Sequence, residues 1–166
     1  SHSAGFSLVE LAIVLVIIGL LVCGVLMGRN LIRNAELQTV VTDFSQFKSA
    51  AQQFKDKYMA IPGDFDEATS FWGKDNAACP ADSGTAAVPG TCNGNGNMDL
   101  PGSTAAGGVT REMFQFWKHL QLDGLIKGDF SGIAGPTRAD HAVPDYNGPR
   151  SSAGGSAVWA AFTWNH

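Results

Sequence analysis

From Leu11 to Met27 the chain reads LAIVLVIIGLLVCGVLM, apolar throughout and without a charged side chain. Extended back to Phe6, the run covers 22 residues. As helix that is ~33 Å at ~1.5 Å per residue, about the thickness of one bilayer core. A helix that is apolar on every face needs lipid or a large protein interior, and a chain of 166 residues has little interior to offer. A cleaved secretory signal is the alternative. Here, however, the run passes without a loop into Arg29, Arg33 and an amphipathic stretch, so the segment is expected to be retained. From residue 37 the apolar positions are Leu37, Val40, Phe44, Phe47, Ala51, Phe54 and Tyr58. Their alternating spacing of three and four is one continuous helical stripe. The spacing predicts a helix of ~78 Å from Phe6 to Lys57 at ~1.5 Å per residue. It should end at Ile61-Pro62-Gly63-Asp64, where Pro removes a donor and Gly permits a turn. A second helix is predicted over 110–122, capped by Thr110. Its inner face is Met113, Phe114, Phe116, Trp117 and Leu120, and Gly124 stops it before Leu125-Ile126. Residues 129–133 and 157–164 read as short strands and 134–156 as loop. The chain stops at Trp164-Asn165-His166 directly after a strand-like run, which reads as a truncated C-terminus.

Composition divides the chain near Tyr58. Residues 1–57 hold 4 of the 20 Gly and none of the 7 Pro; formal charge is +1 before the divide and −5 after it. The pattern is a helical rod followed by a turn-rich acidic head. The net charge of −4 and pI near 5.4 argue against a nucleic-acid partner, which calls for a basic surface. The length excludes large enzyme architectures such as an α/β barrel. No GxSxG, P-loop, HExxH or dinucleotide-binding fingerprint occurs. His2, His119, His141 and His166 share no ligand spacing, and Asp140-His141 lacks a partnered nucleophile. By the positive-inside rule Arg29 and Arg33 face the cytoplasm, but with only His2 on the other side charge alone leaves the orientation open.

Three places carry candidate chemistry. Glu10 stands at the start of the apolar run, where an unpartnered carboxylate in lipid costs about 2.5–3.5 kcal/mol or more. It is either a functional group or an interfacial residue reaching the headgroups. Cys79 and Cys92 bracket a Pro/Gly-rich loop. In an oxidising compartment they form a disulfide worth about 3 kcal/mol; two thiols or metal ligands are the alternative. Cys23 is a small apolar packing residue. After Cys92, Asn93, Asn95, Asn97 and Asp99 fall at every second position, with Gly94 and Gly96 between the first three, like the front of a calcium loop. Three of the four are neutral and no Glu follows at the twelfth position, so affinity would be weak unless Asp64, Asp66 or another distant carboxylate joins, and a plain Asn-Gly turn ladder stands beside the calcium reading. Asp64, Asp66 and Glu67 read as a solvated turn.

Ala4-Gly5-Phe6-Ser7-Leu8-Val9-Glu10, followed at once by the apolar run, resembles the processing site of type IV pilins and type II secretion pseudopilins. The resemblance makes Gly5 the last leader residue and Phe6 the N-methylated mature N-terminus. Glu10 takes the part of that family's membrane carboxylate, paired in the filament with a neighbour's N-terminal amine. Gly19 falls where the family also has a glycine; the family's proline near Met27 is absent. The implied fold is α+β and pilin-like, a long N-terminal helix packed on a small antiparallel sheet with a second helix and long loops. Residues 1–5 would be a leader remnant, 6–28 the protruding transmembrane half, 29–57 the amphipathic half on the head, and 58–166 the head. The implied function is non-enzymatic: a structural subunit of a type IV pilus-like filament. A minor pilin or secretion pseudopilin acting in adhesion, DNA uptake or protein export is the alternative. The implied partners are copies of itself, a prepilin peptidase, the inner-membrane assembly machinery and the membrane before assembly. Location would be the bacterial inner membrane and then a cell-surface or periplasmic filament. No cofactor is required, and calcium is the one candidate.

Overall fold

The computed structural model describes residues 5, 7–75, 90–100, 112–137 and 140–163. The chain divides into two compact units, Ser1–Thr39 and Val40–His166. The described residues contain α1 (Leu8–Tyr58), α2 (Ala68–Trp72) and α3 (Glu112–Leu122), with α1 contributing to both units.

In the first unit, every side chain of α1 from Leu8 to Met27 is exposed. Among the described residues α1 is the helix long and apolar enough to cross a membrane. Apolar side chains on all faces of a helix are covered only by lipid or by other apolar helices.

In the second unit, α1 buries a stripe. Ala50 and Phe54 are inaccessible, and Phe47, Ala51 and Tyr58 pack beside them. They meet Phe65, Trp72 of α2, and Phe116, Trp117 and Leu120 of α3. Rings interlock at 4.6 Å (Phe54–Tyr58) and edge-on at 5.1 Å (Phe47–Trp117). Such pairs each add about 0.5–1.5 kcal/mol beyond the area they bury. Phe44, on the same predicted stripe, stays 57% exposed. It lines an apolar cleft of about 420 Å³ with Phe47, Trp117, Trp159 and Phe162.

α1 stops at Tyr58, three residues before the predicted turn. Met59 takes a left-handed φ of 56° and its N–H returns to the Lys55 carbonyl at 2.8 Å, which closes the last turn. The Pro62-Gly63 turn follows as a separate feature. Gly63 has φ 89°, and a Cβ there would lie 2.3 Å from the Glu112 carbonyl oxygen, so only glycine fits. Lys57 and Tyr58 both donate to Asp123 Oδ1, at 2.5 and 2.6 Å. The Asp123 bond raises the Lys57 pKa to about 12.

α3 ends as the sequence predicts. Leu125 N–H reaches the Leu120 carbonyl and Gly124 N–H the Gln121 carbonyl, each at 3.0 Å, with Gly124 at φ 75°. This is a Schellman stop. The helix is buried on all sides from Met113 to Leu120, not on one face alone.

The expected antiparallel sheet is not found among the described residues. Residues 129–133 and 157–163 are irregular, and only isolated bridges occur: Lys74 with Thr91, Pro144 with Gly148, and Arg150 with Val158. Buried peptide groups must still find partners, and here side chains supply them. Gln115 serves Cys92 N–H and the Gly132 carbonyl. Asn147, fully buried, serves Val143 N–H and the carbonyls of Ile133 and His141. The strand-like composition of 129–133 and 157–163 therefore does not specify a ladder, since a ladder is only one way to satisfy such a backbone.

Candidate functional site

The N-terminus of α1 places the candidate carboxylate. Ser7 precedes the first helical residue, and its Oγ accepts the Val9 N–H at 3.3 Å. In return Glu10 Oε2 accepts the Ser7 N–H at 2.8 Å. The two exchanges form a capping box, satisfying orphan donors at both positions. The Ser-x-x-Glu spacing immediately before an apolar run was a legible sign of it, missed because Glu10 drew attention only as a membrane carboxylate. The box adds a negative group in the first turn, where the helix dipole favours it. Glu10 thus has a local partner within its own chain.

A second constellation lies in the head. Asp64 is 2% exposed, not the solvated turn residue expected. Its Oδ1 accepts the N–H groups of Gly96 (2.8 Å) and Asn97 (3.3 Å), and its Oδ2 that of Met98 (2.6 Å). Segment 93–99 wraps this one carboxylate. The three asparagine oxygens are occupied too: Asn93 accepts Thr69 N–H, Asn95 accepts Asn97 N–H, and Asn97 accepts Asp99 N–H, at 2.8 to 3.0 Å. Asp99 is held by the Thr163 hydroxyl. Glu112 lies beside the loop and accepts the Asn95 N–H at 3.0 Å. Burial pushes the Glu112 pKa up, with Asp64 and Asp99 adding to the rise and the Asn95 bond opposing it. Among the described residues no group of three or more His, Cys, Asp or Glu is placed to hold a metal ion.

His119 is the other residue that the sequence did not reveal. It is fully buried on α3. Nδ1 accepts the Gly63 N–H at 2.9 Å and Nε2 lies 3.1 Å from the Cys92 carbonyl. That arrangement requires the neutral ring protonated at Nε2. Desolvation lowers its pKa to about 4, against a smaller opposing effect of the Cys92 carbonyl. It has no vacant ring nitrogen for catalysis. Lone histidines carry no spacing signal, so only the fold shows this clasp.

With this geometry in place, the comparisons fall at the first site. Residues 1–26 match the prokaryotic N-terminal methylation motif. The chain carries the type IV pilin and pseudopilin signature. No curated protein and no solved structure matches it. Within the methylation motif, Gly5 is described and exposed, while Phe6 lies outside the described residues. Beyond the motif, Cys23 is a free, exposed thiol. Cys92 is buried and disulfide-bonded; Cys79, its expected partner, lies outside the described residues, as does Thr110.

Proposed function

We propose that the chain is a non-catalytic filament subunit of the type IV pilus kind, held in the bacterial inner membrane and polymerised through α1. The observation that carries the reading is a carboxylate, Glu10, at the head of an exposed apolar helix inside a methylation motif. In a filament, apolar helices pack without water, where a charge is tolerated only when paired. Processing between Gly5 and Phe6 by a prepilin peptidase would create an N-terminal amine. The same amine on a neighbouring copy is a suitable counter-charge for Glu10. A slip by one subunit leaves both charges unpaired, so the pair also sets register. The inner-membrane assembly machinery and a cell-surface or periplasmic filament follow from this role. A secretion pseudopilin or minor pilin would use the same helix, and electron microscopy of native fibres separates bulk subunit from minor component.

We assign segment 93–99 the part of an Asn-turn ladder around Asp64, in place of a calcium site, because its asparagine oxygens already accept backbone N–H groups. A Cys79–Cys92 disulfide would close the adjoining loop. The direct test of the whole reading is N-terminal sequencing and mass measurement of native material, with Phe6 expected first and N-methylated. A native chain found as an unprocessed monomer, indifferent to the loss of Glu10, would contradict it.

A further inference from the structure

We propose that Asn95 is a self-modification site, in which Asp64 promotes deamidation of the Asn95-Gly96 step. Three Asn-Gly steps occur, at Asn93, Asn95 and Asn147, and all share the unhindered glycine nitrogen that this chemistry needs. Their surroundings differ. At Asn95 the attacking atom, Gly96 N, donates its proton to Asp64 Oδ1 at 2.8 Å, with the Asp64 carbonyl a second acceptor at 3.2 Å. The carbonyl under attack is polarised by the Asn97 N–H, 3.0 Å from Asn95 Oδ1. A base on the nucleophile and a donor on the developing oxyanion are the two elements of an assisted acyl substitution. Asn95 and Gly96 are also exposed, so water reaches them.

The other two steps lack this set. Gly94 N donates to the Phe65 carbonyl, which is no base, and Asn93 is half-buried. Asn147 is fully buried and its leaving amine is tied to the carbonyls of Ile133 and His141 at 2.9 Å each.

The reaction balances with water alone. Gly96 N bonds to Asn95 Cγ as its proton passes to Asp64. The Cγ–Nδ2 bond breaks, and ammonia leaves carrying that proton. Water then opens the five-membered imide at either carbonyl, giving aspartate or isoaspartate. Either product adds a negative charge to a loop that already faces Asp64, Asp66, Asp99 and Glu112, and isoaspartate lengthens the backbone there.

The experiment ages the full chain in detergent at neutral pH and follows all three sites by peptide mapping with isoaspartate detection. Asn95 is expected to convert at least about tenfold faster than Asn93 and Asn147, well within the ~10²-fold that a placed base supplies. In urea, where only local sequence remains, the three rates should converge. Asp64→Asn should slow Asn95 about tenfold while circular dichroism shows the fold retained; if that variant does not fold, the urea comparison decides. Equal rates in the folded chain, the same ranking in urea, or a folded Asp64→Asn variant with an unchanged Asn95 rate would each overturn the proposal.

Discussion

His119 links the head's stability to pH. Its folded pKa is about 4 against an ordinary 6.5, so between those values the unfolded chain binds more protons. Stability is then fully present above about pH 6.5 and falls as pH drops towards 4, by about 3 kcal/mol for this residue. Glu112 acts in the opposite sense. Its raised pKa means the folded state holds a proton more readily, so this residue loses stability as pH rises through its own window above 4.5. Urea unfolding at a series of pH values is expected to show the His119 slope. His119→Gln should remove it and leave the weaker, opposite slope of Glu112. At α1's start, Glu10→Gln keeps an acceptor for the Ser7 N–H but removes the charge. It should leave membrane insertion intact and impair polymerisation, checked by membrane fractionation beside fibre yield.

Among the elements, α3 supplies hydrogen-bond partners to neighbouring segments through Gln115. Gln115 Oε1 accepts the Thr91 hydroxyl at 2.6 Å and the Cys92 N–H at 3.3 Å, while its Nε2 donates to the Gly132 carbonyl. Gln115→Leu keeps the bulk and removes three hydrogen bonds from a buried site, each worth about 0.5–1.5 kcal/mol. A loss of about 3 kcal/mol is expected from chemical denaturation. The helices themselves were legible, because Phe47, Ala51, Phe54 and Tyr58 repeat at helical spacing and Gly124 marks a stop. The end of α1 lies one residue past the predicted Lys57, but Met59, not the Pro62-Gly63 turn, closes it with a left-handed φ, and composition says nothing of that. The five-residue α2 is too short to show a period. The candidate site was half legible: the Gly-Phe boundary and Glu10 stand out in a local motif. Asp64 and His119 act across long sequence separations that no local pattern encodes.

At the scale of the molecule, the two units have different requirements. The first offers apolar surface on every side from Leu8 to Met27, while the second has its own core of Phe54, Phe65, Trp117 and Leu120. Detergent should therefore govern whether the full chain stays dispersed, with little effect on the head's urea midpoint, read from tryptophan fluorescence. Calcium should leave the head's melting temperature unchanged; a rise with calcium would restore Asn93, Asn95, Asn97 and Asp99 as ligands.

The Ser7–Glu10 box has a consequence for how such a subunit waits. A solitary carboxylate in oil invites either protonation or ejection from the bilayer. Tethered to the main-chain amide three residues upstream, it has a resting mooring until a better one arrives. Assembly on the proposed scheme then becomes an exchange of moorings, with no interval in which the acid is bare.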